Sequence, residues 1–139
     1  MADFVLVADD DHDYGELVDL VLQSRCGVGR VLVFRSGTAA LEHLRDSQAS
    51  ELPALVILDY HMPGLNGLEV LRAIRQEGLE VPVAILSSGP FSPDEEAGFR
   101  SQGAIAFARK PARMENLAPL LQQLLALARS APAPVVARK

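Results

Sequence analysis

The sequence predicts an open α/β sheet of five parallel strands with helices on both faces. Two observations predict it. Five short apolar runs, residues 4–8, 30–34, 54–58, 81–86 and 105–107, are rich in Val, Ile and Leu with little alternation. Such runs suit strands buried on both faces. Between them lie segments with apolar residues at helical spacing, and strands alternating with helices build a layered α/β domain.

The first helical segment carries Tyr14, Leu17, Val18, Val21 and Leu22, with Gly27 near its end. The second carries Ala40, Leu41 and Leu44, with Ser36 as a candidate N-cap. The third carries Leu68, Leu71 and Ile74; Asn66 and Glu69 form a capping pair and Gly78 a stop. The fourth, with the weakest pattern, runs from about Pro93 to Gln102, before Gly103. The last has the clearest stripe: Leu117, Leu120, Leu121, Leu124, Leu125 and Ala128. Pro119 fits this helix only in its first turn, where amides have no intrahelical partner. The regular helix is therefore expected to start near Asn116, with that residue as its cap. Right-handed crossovers leave few topologies, and the flavodoxin-like strand order 2-1-3-4-5 is expected at this size.

The chain has 139 residues, which suits one domain, here expected over residues 1–130, followed by an Ala/Pro-rich tail or linker start at 131–139. A net charge of −5 argues against direct nucleic-acid binding by this domain. The one cysteine, Cys26, forms neither an internal disulfide nor a paired-cysteine metal site and reads as a small apolar residue. No run is long enough to cross a membrane and the N-terminus lacks signal-peptide character, so a cytoplasmic protein is expected.

In open parallel sheets, ligands bind beyond the carboxyl ends of the strands, where the strand order switches. Reading those ends in turn finds Asp9, Asp10 and Asp11 after run one and Asp59 after run three. Ser87 and Ser88 follow run four, and Lys110-Pro111 follows run five. Run two, expected at an edge, is followed by Arg35, Ser36 and Gly37, with no acid. Clustered carboxylates repel one another unless a cation joins them. Mg²⁺ accepts a few carboxylate oxygens plus a phosphate oxygen, and lysine is a compact partner for a phosphoryl group. A carboxylate beside a metal can serve as nucleophile and form an aspartyl phosphate.

At these residues the sequence resembles the receiver domain of two-component response regulators. The acidic pair of that family matches Asp9 and Asp10. Its phosphoacceptor segment D-x-x-M-P-x-x-x-G matches Asp59-Tyr60-His61-Met62-Pro63-Gly64-Leu65-Asn66-Gly67. Its strand-four hydroxyl matches Ser87 and its Lys-Pro pair matches Lys110-Pro111. The resemblance covers about residues 4–129. It implies a phosphorelay switch that takes a phosphoryl group from a histidine kinase or phosphotransfer protein onto Asp59. Asp10 and Asp59 would supply oxygens to Mg²⁺, with Asp9 assisting through water and the His61 backbone carbonyl completing the set. Lys110 would pair with the acceptor and then with the phosphoryl group. Ser87 and Phe107 would form the switch pair, and helix four, strand five and helix five the output face, with dimerisation on activation an option.

The sequence departs from the family pattern in places. Ser87 stands for the commoner Thr, Ser88 for a smaller residue, and Gly89-Pro90 opens a loop about one residue longer than usual. Arg113 stands where a capping acid or hydroxyl is common. Asp11 reads as the cap of the first helix. His12, His43 and His61 read as solvent-facing, and Phe4, Phe34, Phe91 and Phe99 as packing residues. Two other readings are open to these residues. Asp9-Asp10-Asp11 also satisfies the Asp-x-Asp spacing of haloacid-dehalogenase-type phosphatases, but Asp13 and the short chain oppose it. A receiver-shaped docking module without phosphorylation is opposed by the intact acids and lysine.

Overall fold

The computed structural model describes residues 4–47 and 51–130; the Ala/Pro tail at 131–139 and the extreme N-terminus lie outside the described residues. Strands β1 (Phe4–Ala8), β2 (Arg30–Phe34), β3 (Leu55–Asp59), β4 (Val83–Ser87) and β5 (Ala106–Arg109) alternate with five helices. The helices are α1 (His12–Arg25), α2 (Gly37–Asp46), α3 (Gly67–Gln76), α4 (Pro93–Ser101) and α5 (Leu117–Ser130). The strands form one parallel sheet in the order β2-β1-β3-β4-β5, the order expected from the sequence.

The lack of alternation in the strands has a direct cause: both faces are covered. Leu6, Ala8, Val56, Leu58, Val83 and Ile85 point toward α2, α3 and Phe99 of α4. Val5, Val7, Leu55, Ile57, Ala84 and Leu86 point toward α1 and α5. Fully burying one such aliphatic side chain contributes about 1.5–3 kcal/mol. The rule fails at the edges, where β2 and β5 are only half-buried because each lacks a neighbour on one side.

Helix boundaries follow their caps. Asp11, Ser36, Asn66 and Ser92 each accept a backbone amide at the start of a helix. Asn66 with Glu69, and Ser92 with Glu95, form reciprocal capping boxes. Gly103, just past α4, has φ of +76°, a left-handed conformation that favours glycine. The last helix starts where expected, one residue after Asn116, but without the expected cap. A 3₁₀ turn over Met114–Asn116 leads straight into α5 at Leu117, and Arg113 precedes that turn without a side-chain cap. Asn116 is therefore part of the turn rather than the cap, while Pro119 does lie in the first turn of α5.

Three strands are offset from the apolar runs that announced them. Runs 54–58, 81–86 and 105–107 become β3, β4 and β5, each ending later: Asp59 and Ser87 are the last residues of their strands, not the residues after them. Their backbones still pair with the neighbouring strand, so the ladder outlasts the apolar pattern. Among the described residues no helix is long and apolar enough to cross a membrane.

Candidate functional site

Asp9 and Asp59 are held by the sheet before their side chains are considered. The Asp9 amide donates to the Phe34 carbonyl at 2.9 Å, continuing β1 past its last strand residue. The amide after Asp59, that of Tyr60, donates to the Leu86 carbonyl at 2.8 Å. The Lys110 amide donates to the Ser87 carbonyl at 2.7 Å. Adjacent strands thus deliver Asp9, Asp59, Ser87 and Lys110 to one end of the sheet. The turn behind Asp59 is tight: a Cβ on Gly67 would lie 3.0 Å from the Asp59 carbonyl oxygen and 3.1 Å from the Tyr60 Cα, so only glycine closes it there without a shift.

The carboxylates of Asp9, Asp10 and Asp59 offer oxygens within 4.8 Å of one another. Asp9 and Asp59 are buried and Asp10 is exposed. The Lys110 ammonium lies 2.9 Å from Asp9 Oδ2 and 3.6 Å from Asp59 Oδ1. The lysine therefore sits nearer Asp9 than the expected acceptor. One ammonium serves two buried carboxylates, and Asp9 is already oriented by the Asp11 amide on its Oδ1 at 2.9 Å. Burial pushes the Asp59 carboxyl up to about 7, the charge of Asp9 adds to this, and Lys110 opposes it. The site thus holds more negative charge than its lysine neutralises, the condition that a hard dication relieves.

Ser87 is fully buried, and its hydroxyl accepts the Gly89 amide at 3.2 Å. Phe107, half-buried on β5, packs against Phe91 and Phe99 with ring centroids 5.6 and 5.2 Å apart. Arg100 lies over its face at 5.1 Å. His61 is exposed and edge-on to Tyr60. His12, also exposed, lies 3.1 Å from Glu16. His43 is half-buried against Phe34, with centroids 5.3 Å apart, rather than facing solvent, because that edge strand leaves its last ring partly uncovered. Asp11 caps α1 through Tyr14 N, as expected.

Two features escaped the sequence reading. Tyr14, counted only as a core position of the first helix, lies beneath the lysine, with Lys110 Nζ 4.3 Å from its ring centroid. Its position in the first turn after the acidic pair was the available signal. Tyr60, Phe91, Phe99 and Phe107 form one aromatic group: Tyr60 lies 6.0 Å from Phe91 and 5.8 Å from Phe99. No spacing in the sequence joins residues from four separate segments.

Comparison with known proteins agrees with this fold. Residues 5–122 match the family described as the response regulator receiver domain. The chain is 32% identical over 134 residues to the alkaline phosphatase synthesis transcriptional regulatory protein SphR of Synechococcus elongatus, covering 93% of this chain and 51% of that protein. It is 34% identical over 114 residues to the DNA-binding response regulator MtrA of Mycobacterium tuberculosis, covering 81% of this chain and 46% of that one. The chain spans about half the length of these curated relatives. The signal receiver domain of the response regulator NarL from Mycobacterium tuberculosis superimposes with a TM-score of 0.76 at 28% identity, over 94% of this chain and 98% of that domain. These matches leave the haloacid-dehalogenase reading without support. Five parallel strands in the order 2-1-3-4-5, acids and a lysine at their carboxyl ends, and a family match along most of its length identify the chain as a member of the response regulator receiver domain family.

Proposed function

We propose that the chain is a Mg²⁺-dependent phosphoacceptor switch in which Asp59 receives the phosphoryl group. The observation that carries this reading is the convergence of Asp9, Asp10 and Asp59 within 4.8 Å, with Lys110 against two of them. Receiver domains bind Mg²⁺ at an acidic cluster of this kind and interact with histidine kinases. Here Asp9, Asp10 and Asp59, with the His61 backbone carbonyl, would hold the ion. When bound, it would neutralise carboxylate charge and bind a phosphoryl oxygen.

The protein's own residues supply the rest. A carboxylate oxygen of Asp59 attacks phosphorus, and the bond from phosphorus to the donor's leaving atom breaks. The leaving group departs with the electron pair, as acetate from acetyl phosphate or as imidazole from a phosphohistidine. Asp59 must be ionised to attack, so neutralising its surroundings also recruits the nucleophile. Lys110 then meets the charge on the transferred group, and the Ser87 hydroxyl donates to another of its oxygens. Movement of Ser87 toward the phosphoryl group leaves space that the Phe107 ring follows into, shifting the face of α4, β5 and α5. That is a local charge change biasing a packing arrangement. The donor is a histidine kinase or phosphotransfer protein, the site of action is the cytoplasm, and the target of the shifted face is a protein, either an effector or a second copy. The chemistry is confined to gain and loss of the protein's own phosphoryl group, so this is a signalling domain rather than an enzyme acting on other substrates.

Incubation with acetyl phosphate and Mg²⁺, followed by intact-mass measurement, tests the reading. A gain of one phosphoryl group that requires Mg²⁺ and is absent in Asp59→Asn is expected. Failure to take up phosphoryl or beryllofluoride under any Mg²⁺ condition would leave the docking-module reading in its place.

A further inference from the structure

We infer that Tyr14 is a positioning residue for Lys110, its ring serving as the platform that holds the ammonium against the Asp9 and Asp59 carboxylates. The inference rests on the phosphoacceptor reading above. Lysine carries its charge on a flexible four-carbon stem, and nothing in that stem selects one direction. In this structure three neighbours select it: Asp9 Oδ2 at 2.9 Å, Asp59 Oδ1 at 3.6 Å and the Tyr14 ring at 4.3 Å from its centroid. The two carboxylates draw the ammonium inward, and the ring face supports it from the α1 side.

The ring is in place for local reasons. Asp11 caps α1 by accepting the Tyr14 amide, which puts Tyr14 in the first turn. Side chains of a helix lean toward its N-terminus, and that end of α1 adjoins the acidic cluster. A cation over an aromatic face is attracted by the ring quadrupole, more so where water is excluded, and the Lys110 side chain is only 13% exposed. The Tyr14 hydroxyl is buried without a hydrogen-bond partner among the described residues, so the ring rather than the phenol is the part the site uses. Burial first, then Asp9 and Asp59, push that phenol up to about 12, so the platform remains neutral. When a phosphoryl group adds charge at Asp59, a lysine already confined there loses little further freedom in meeting it.

The test is the rate of phosphorylation by acetyl phosphate at saturating Mg²⁺, in the wild-type and Lys110→Met backgrounds. Tyr14→Leu is expected to slow phosphorylation about tenfold in the wild-type background. Tyr14→Phe should restore the rate to within about twofold, and Tyr14→Leu should add nothing once Lys110 is Met. Should the Leu variant not fold by circular dichroism, Tyr14→Met takes its place. A wild-type rate in the ring-less variant overturns the inference. So does an equal slowing in both backgrounds, which marks a purely structural role. A wild-type protein that takes up no phosphoryl group is a different result: it removes the phosphoacceptor reading and the inference with it.

Discussion

The acidic centre lies at the carboxyl end of the sheet and helix α4 starts beside it, after β4, before running back along one face; the two are held in place by different means. Under the centre, every residue of β1, β3 and β4 is buried, and three of the sheet's four ladders are continued past the carboxyl ends by backbone hydrogen bonds. Helix α4 buries Phe99 alone among its residues. Its C-terminal end is tied by the buried Arg75 guanidinium, which donates to the carbonyls of Gln102 and Gly103 as well as those of Leu79 and Val81. Its N-terminal end rests on the Ser92–Glu95 capping box. On the proposed function, nucleophile, cations and phosphoryl group must meet within about 0.5 Å, so the centre needs a frame that does not yield. On the same proposal α4 transmits a change and must cost little to shift, and one buried ring with polar ties at both ends meets that condition.

The sharpest way to break this contrast is to weaken the frame itself. Leu58, fully buried next to Asp59 on β3, should cost about 3 kcal/mol when replaced by Ala. Urea denaturation should show that loss as a shift of the global midpoint, and a loss below about 1 kcal/mol would show that the frame yields more readily than its burial implies.

The next largest effect concerns the charge that the frame holds. Asp59 titrates near 7 against an ordinary value of 3.8. An acid whose folded pKa lies above its unfolded one binds its proton more tightly in the fold. It favours the fold at low pH and opposes it as pH rises from about 4 through about 7. Chelator-treated protein should therefore lose about 2 kcal/mol of unfolding free energy between about pH 5 and pH 8, allowing for charge shared with Asp9 and Lys110. Mg²⁺ should largely abolish the slope, and Asp59→Asn should remove it without metal. A flat profile in metal-free native protein contradicts the unbalanced charge described here.

The smallest effect separates the two regions most clearly. Ser92→Ala and Asn66→Ala each remove a capping box, at about 1 kcal/mol. In α3, which buries six residues, the loss should appear in the global midpoint. In α4 it should appear as faster amide exchange within that helix, with the global midpoint nearly unchanged. Equal global shifts from both variants would mean that α4 belongs to the same cooperative unit as the frame.

Apolar runs alone announced all five strands, because strands covered on both faces have no polar face to interrupt the pattern. Asp59 and Ser87 were read as residues after strands because a polar residue ends an apolar run. Backbone pairing does not depend on side-chain polarity, so the strands extend one residue further. Helix stops and starts at Asp11, Ser36, Asn66, Gly78 and Gly103 were legible because capping is a local hydrogen-bond and backbone requirement. The start of α5 was half-legible: Pro119 limited where the helix could begin, but the uncapped 3₁₀ entry leaves no residue signature.

What the sequence determined by itself is whatever depends on neighbours along the chain: strand and helix order, most caps, and the presence of acids and a lysine at strand ends. What the tertiary structure decided is whatever depends on distance between segments. Asp9 rather than Asp59 has the shorter contact to Lys110. Tyr14 lies under that lysine, and Tyr60, Phe91, Phe99 and Phe107 share one aromatic group. Side-chain reach, ring orientation and burial set these contacts, and they take values only when strands far apart in sequence lie about 5 Å apart in the sheet.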